Sequence, residues 1–470
     1  MTKNTNLLLL FFFIATSCTK IKVSPPENVA IHDFIWKGLN TYYLWQPKVP
    51  NLADNRFLNT ASYQQFLESE PNTDQFFENL IHQRNTVDNW SWIVEDYIAL
   101  ENSFQGISVH NGIEFGLVFE KDSDLDLFAY VRYVLPNSDA STKNVQRGMI
   151  FNQVNGNKLN TNNYRDLLFS DNTSYTIHLA DYNEGNPISN GATITLSKSE
   201  YTENPVFLTK IIEEGTKKIG YIMYNSFTSN FDQELNTAFL NLKNSGVTDL
   251  IFDVRYNGGG SVQTAVHLSS MITGQFKDQL FSKNEWNAKI SISNSNLEKR
   301  FTDVMTIDGN QVNINSLSLD KVYFITTKSS ASASELVING LNPFIDVHTV
   351  GTKTRGKYVG SITLYDSPQF FNKENINPNH TWAMQPIVLE IKNKLGENNP
   401  EGFEPSVTLH EDYNNLGILG ETSDPLLART IRYITTGAKG KQRQKFKHHK
   451  PFFDSKLGTP TSNNMYVDIK

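Results

Sequence analysis

The sequence predicts an α/β protein: a layered core of strands alternating with helices, preceded by a helical segment and a β-rich domain. Three observations carry this. From residue 205 onward, strand-like runs such as "VTDLIFDVR" and "KVYFITTKSS" alternate with helical stretches such as "FDQELNTAFLNLKNSG". Between 30 and 103, apolar residues recur at three- and four-residue steps, the spacing of one helix face. Between 104 and 200, short alternating runs such as "FAYVRYVL" and "ATITL" are separated by Gly, Asn, Pro and Asp, which are strand and turn signals.

Length and composition bound the possibilities. A chain of 470 residues, 39% hydrophobic and 12% aromatic, can build two or three domains with at least one sizeable core. A net charge of −7 argues against a nucleic-acid partner, because phosphate neutralisation needs a basic surface. Beyond the N-terminus, no stretch reaches the roughly 20 apolar residues of a membrane span.

The first eighteen residues, "MTKNTNLLLLFFFIATSC", combine Lys3, an apolar run from Leu7 to Ile14 and small residues before Cys18. That is the layout of a secretory signal, too short to span and stay. Cys18 is the only cysteine, so no internal disulfide forms. "ATSC" resembles the lipobox of bacterial lipoproteins, which implies cleavage before Cys18, lipid attached to it, export, and anchoring to the cell envelope on its periplasmic or outer-membrane face. Residues 19–29 then read as a tether.

In the helical segment, one face is Ile31, Phe34, Ile35, Leu39, Tyr42 and Tyr43, a second is Tyr63, Phe66 and Leu67, and a third is Phe76, Phe77, Leu80 and Ile81. Trp36, Trp45, Trp90 and Trp92 are packing residues on this reading, with no catalytic role. In the β-rich part, "GIEFGLVFE" and "VLPNSDASTKNVQRGMIFNQVNGNKL" resemble a PDZ domain. Such domains add an extended peptide to a sheet edge and hold its carboxylate on loop amides. The resemblance implies that Gly116 and Leu117 lie in the carboxylate loop; the residues alone fit equally a β-rich domain with a tight turn.

Two candidate sites stand at strand ends in the core: the triple glycine of "YNGGGSV" and the serine cluster of "SSASASELVING", whose Leu336, Val337 and Leu341 mark a following helix. A helix start leaves backbone N–H groups unpaired and presents a positive dipole end, an environment suited to an oxyanion. Glycines without side chains can bring a further N–H to the same point. Against this stands the common structural use of serines as helix caps and glycines as turns. A serine nucleophile also needs a base. None of the ten histidines sits in a catalytic context, "GxSxG" is absent, and neither HExxH nor paired cysteines offer a metal site. Lysine remains, once burial lowers its pKa, and "VGTKTRGKYVGSITLYD" supplies Lys357 in a glycine-flanked turn.

"DVRYNGGGSV", "SSASASELVING" and "GTKTRGKYVG", in that order after a PDZ-like domain, resemble the carboxyl-terminal processing peptidases, or tail-specific proteases. The resemblance covers 30 to 436, with "WAMQPIVLEIKN", "GFEPSVTL" and "DPLLARTIRYI" matching the end of the catalytic domain, placed at 205–436. It implies a crotonase/ClpP-like core, no cofactor and no metal, and unfolded or flexible protein C-termini as substrates. It implies Ser332 as nucleophile and Lys357 as base in an acyl-enzyme mechanism, with Ser330 and Ser334 as capping or packing neighbours. The N–H of Ala333 and that of Gly259 or Gly260 would form the oxyanion hole. Where many members carry a glutamine that orients the lysine, this chain has Ser361. Glu335 is expected to be structural, or an orienter at the helix start.

Two other readings are open. "GTKTRGK", Gly351 to Lys357, spells the GxxxxGK of a phosphate loop, but Tyr358 replaces the magnesium-binding Ser or Thr and a strand, not a helix, is expected next. Alternatively the protein is a non-catalytic scaffold that binds peptide tails, a reading that the Ser361 departure favours and the presence of both Ser332 and Lys357 opposes. Residues 437–470, with the basic run "KGKQRQKFKHHK", are expected to be a solvated, disordered tail.

Overall fold

In the central sheet, successive side chains point to opposite faces and both faces are buried, which is why its strands read as continuous apolar runs. Leu250, Phe252, Val322 and Phe324 face one core together with the helices Asp232–Asn244, Val262–Thr273 and Ala333–Leu341. Ile251, Tyr323 and Ile325 face a second core, closed by Leu427, Ile431 and Ile434 of the helix Pro425–Thr436. The structure is a computed structural model that describes residues 27–290, 297–439, 449–459, 461, 462 and 464–467. Cys18, the signal and the tether up to residue 26 lie outside the described residues.

The sheet runs in the order Val206–Glu214, Lys217–Tyr224, Asp249–Asp253, Lys321–Thr326, Asp346–Gly351 and Val407–Thr408. The first pair is antiparallel and the others are parallel. A second sheet packs beside it, in the order Gly260–Ser261, Met465–Tyr466, Val359–Ser361, Ile387–Asn393, Leu280–Trp286 and Glu298–Arg300.

The helices Glu27–Tyr42, Thr60–Leu67 and Thr73–Glu78 carry the expected apolar faces, but these do not close on one another as a separate domain. Phe34, Ile35, Leu39 and Phe77 are buried in the same core as Phe252 and Val337, and Trp92–Val94 pairs with Ala383–Gln385. The segment 30–103 packs as a layer of the main core, because three short helices cannot bury wide apolar stripes alone.

The β-rich domain has its own core of Phe115, Leu117, Val131, Phe151 and Ile177. Its sheet runs Pro451–Asp454, Ile113–Phe119, Leu127–Val134, Ile150–Val154, Ser174–Asp181 and Ile188–Ser197. Two expectations are corrected here. Gly116 and Leu117 lie within the strand Ile113–Phe119 and not in a loop; Gly116 pairs with Tyr130, and a Cβ there would sit 2.5 Å from the Tyr130 ring. Its glycine therefore makes room for a cross-strand ring. The 437–470 segment is not simply a solvated tail: Pro451–Asp454 joins the β-rich sheet and Met465–Tyr466 joins the second sheet. The overall basic composition hides the apolar residues Phe452, Phe453, Met465 and Val467 that drive this docking. Among the described residues, no helix is long and apolar enough to cross a membrane.

One buried cation joins the glycine loop to the closing helix. The fully buried Arg255 donates to Asp253 and lies 2.8 Å from the Asp424 carboxylate, which in turn caps the helix Pro425–Thr436 through the Leu426 N–H. Removing the cation strands two carboxylates in the interior. Arg255→Met is therefore expected to lower the unfolding free energy by about 3–5 kcal/mol. Urea denaturation checks this, and an unchanged midpoint would show that the pairing is energetically idle.

Candidate active site

Three neighbouring parallel strands end on the same side of the sheet, the usual place for a site in such a fold. Asp249–Asp253 leads into the glycine loop, Lys321–Thr326 into the serine cluster, and Asp346–Gly351 into the turn that carries Lys357. Their ends are in register, Asp253 with Ile325 and Thr326 with Gly351. Residues separated by a hundred positions in the chain thus meet in one place.

Hydroxyls and amides stitch the three loops together. Ser330 Oγ donates to the Val254 carbonyl at 2.7 Å, Ser334 Oγ to the Asn257 carbonyl at 3.1 Å, and the Ala331 N–H to that same carbonyl. Ser330 and Ser334 thus act as the packing neighbours the sequence suggested. The Arg355 N–H donates to the Ser330 carbonyl and ties on the lysine loop.

Ser332 is fully buried and sits at φ 65°, ψ −119°, a conformation that costs a non-glycine residue of order 1–3 kcal/mol and clusters at functional sites. The helix Ala333–Leu341 begins at the next residue, so the Ala333 N–H is among the first four that have no partner inside the helix. Gly259, at φ 112°, lies against Ser332: a Cβ there would be 2.5 Å from Ser332 Cβ. Gly260, at φ 135°, would clash with the Phe227 carbonyl at 2.3 Å. The structure thus brings Ala333 and Gly259 to the serine, with Gly260 next to them.

Glu335 fastens this geometry. Its Oε2 accepts the N–H of Ser332 at 2.9 Å and that of Lys357 at 2.8 Å; its Oε1 accepts the Gly356 N–H at 2.7 Å and the Thr354 hydroxyl at 2.6 Å. One carboxylate oxygen therefore joins the backbones of both candidate residues. Burial pushes the Glu335 carboxyl above its ordinary range, against the pull of those four donors. The same bonds dispose of the phosphate-loop reading, since the N–H groups of Gly356 and Lys357 are already spent on a carboxylate and a strand, Val359–Ser361, follows.

The Lys357 side chain is buried beneath the N-terminal segment, with Nζ 5.2 Å from the centre of the Trp90 ring. Burial lowers its ammonium to about 7, while the carboxylates of Asp88 and Glu335 pull the other way. Trp90 is thus packing, as its composition suggested, but packing that dehydrates a lysine.

Ser361 Oγ is 2.6 Å from Gln385 Oε1 and 2.9 Å from Asn464 Oδ1. A buried glutamine therefore still reaches the position where the sequence has serine, from the strand Ala383–Gln385. Its only sequence signal is one polar residue in the apolar run "WAMQPIV". A further partner has no sequence signal at all: Ser332 Oγ donates to the Asn464 carbonyl at 2.8 Å, so the C-terminal segment covers this serine.

Parts of the chain are similar to known proteins. Residues 218–367 match the model of peptidase family S41, and residues 30–92 match the peptidase S41 N-terminal domain. A chloroplastic C-terminal processing peptidase of Tetradesmus obliquus is 26% identical over 178 residues, 36% of this chain and 34% of that one. A carboxyl-terminal-processing protease of Picosynechococcus is 23% identical over 211 residues, 42% of this chain and 46% of that one. The alignments thus span less than half the length of these curated relatives. A solved structure described as an S41 protease of Bacteroides fragilis shares the fold at a TM-score of 0.65, with 23% identity over 86% of this chain and 97% of its own.

Glu335→Gln would turn amide hydrogens toward backbone N–H donors. The substitution is expected to cost about 2 kcal/mol of stability. Thermal and urea unfolding of the variant, beside a surface Glu→Gln control such as Glu298→Gln, read the effect; equal midpoints would remove Glu335 from its central place.

Proposed function

From membership of peptidase family S41, we propose that the chain is a serine endopeptidase that captures flexible protein C-termini and cleaves them through Ser332 and Lys357. One observation carries the reading: a strained serine and a buried lysine that titrates near 7 share a single carboxylate oxygen through their backbones. On this reading, neutral Lys357 takes the proton of Ser332 as Oγ bonds to the scissile carbonyl carbon. The oxyanion is held by the N–H groups of Ala333 and of Gly259 or Gly260. The amine leaves with the lysine's proton, and water releases the acyl group from Ser332. Ser361, hydrogen-bonded to Gln385, orients the lysine on this reading.

The β-rich domain serves on the same reading as a PDZ-type reader, adding an extended peptide along a sheet edge, and the core as one of crotonase/ClpP type. The N-terminal pattern up to Cys18 supports export and a lipid anchor to the cell envelope.

Ser332→Ala is expected to abolish cleavage of an unfolded test protein with an apolar C-terminus, read by mass spectrometry, without loss of fold. A variant that still cleaves sinks the assignment. Lys357→Arg is expected to be equally inactive, because a guanidinium keeps its proton at working pH.

The pH profile follows from the lowered ammonium. Only the neutral amine accepts a proton, so kcat/KM rises through pH 7, levels off above about 8, and falls about tenfold for each unit below 7. A rate that stays flat to about pH 5 would exclude Lys357 as the base.

A further inference from the structure

We infer that residues 451–467 are a built-in occupant of the peptide-binding surface, a segment of the chain that holds the site closed until a competing peptide displaces it. The inference rests on the reading of Ser332 as nucleophile and deepens it by naming what regulates the site and what its ligands resemble.

Two separate dockings carry it. At the first, Pro451–Asp454 adds as an antiparallel edge strand to Ile113–Phe119, with Leu117 opposite Phe453 and Gly116 opposite Asp454. This is how an extended peptide augments a sheet. Phe453 packs on Phe169 and Tyr164, and Phe452 on Phe119 and Tyr164. Asp454 pairs with Arg132 at 3.1 Å, and its Oδ2 accepts the Ser329 hydroxyl at 3.0 Å, three residues before the nucleophile. Burial opposes the Asp454 charge, but Arg132, the Leu457 N–H and Ser329 together hold its carboxyl below the ordinary range. The charged form is the docked form.

At the second, Met465–Tyr466 lies between Gly260–Ser261 and Val359–Ser361 and pairs in parallel with both. That places the Asn464 carbonyl oxygen 2.8 Å from Ser332 Oγ, and 2.8 Å from where a Cβ on Gly259 would stand. The carbonyl is therefore at the junction of nucleophile and glycine loop, where a scissile carbonyl belongs. The hydroxyl proton is directed to that oxygen, so the serine is engaged as a hydrogen-bond donor and no bond is broken. Between the two dockings, residues 455–459 run along a cleft of about 310 Å³ that reaches Gly259. Ser455 hydrogen-bonds both backbone groups of Phe115, and Lys456 Nζ donates to the Asn225 carbonyl. The described residues of the segment thus lead from the sheet edge along the cleft to the serine. Its chemistry describes the peptides that compete for it: adjacent aromatics, then an acid, then a polar stretch leading to the serine.

Because the segment is tethered, its effective concentration is of millimolar order, and a free peptide meets an open site only for the fraction of time it is released. The test uses the full chain after signal removal, with the recognition sequence of a site-specific endopeptidase placed within 440–448. The chain folds intact and the segment is then cut loose and separated. Cleavage of the unfolded test protein is expected to rise about tenfold or more on release, and to fall again on adding a synthetic peptide of residues 449–467. Phe453→Asp in the uncut chain is expected to raise activity in the same direction. Equal rates before and after release, with the segment shown to have left, overturn the inference. If no form cleaves anything, the peptidase reading fails separately. The inference is then decided by fluorescence anisotropy of the labelled peptide on the cut protein: binding that is lost with Phe453→Asp and Asp454→Lys upholds it, and no binding overturns it.

Discussion

The arrangement depends on one carboxylate. Glu335 sits in the first turn of the serine helix, fastens the N–H of Ser332 on one side, and reaches across to the N–H groups of Gly356 and Lys357 on the other. Without it, the strained serine turn would lose its N–H acceptor, and the lysine loop would lose the bonds of Gly356 and Lys357, keeping those of the Arg355 N–H to Ser330 and the Thr354 N–H to Phe403. A short acidic side chain at this point does what a longer network of neutral groups could not: it satisfies four donors at once in a dry interior, where each unsatisfied donor would cost about 1–3 kcal/mol.

Around that hub the fold provides alignment and dryness. The parallel strands bring three loops to one side, and the glycine loop approaches the serine closely because no Cβ intervenes. The N-terminal helices share the main core and lay Trp90 over the lysine, so a segment that reads as a separate domain in sequence proves part of the lysine's environment. Arg255 and its carboxylates hold the glycine loop from behind and connect it to the closing helix. The β-rich domain reaches the same region through Arg132, which contacts Ser329 in the serine cluster and Asp454 of the C-terminal segment. Sheet edge, serine cluster and C-terminal segment are therefore in direct contact.

The alternation of strands and helices and the order of the three loops were legible in the chain, because periodicity is local, whereas Ser332 and Lys357 were singled out by the resemblance of their motifs to the carboxyl-terminal processing peptidases. Glu335 was legible too, as the acidic third residue of a helix start, although the pattern shows only its reach back to Ser332 and not its second role on the lysine loop. Gly116 was misplaced because a glycine before a β-run signals a turn and a crowded strand crossing equally well. The tail was misjudged because average composition weighs eight lysines and arginines against a few aromatics, whereas docking depends on where those aromatics land.

What the sequence determined by itself was therefore the α/β class of the core and the order of its three loops, while the choice of Ser332 and Lys357 came from the resemblance of their motifs to the carboxyl-terminal processing peptidases. Class and order follow from local spacing, which periodicity records directly. Tertiary structure alone decided that Lys357 is dry enough to titrate near 7, that Gln385 reaches Ser361 from another strand, and that Asn464 meets Ser332. Each depends on burial and on contacts between residues far apart in the chain. Dehydration and long-range pairing are properties of packing, and no local pattern of residues encodes them.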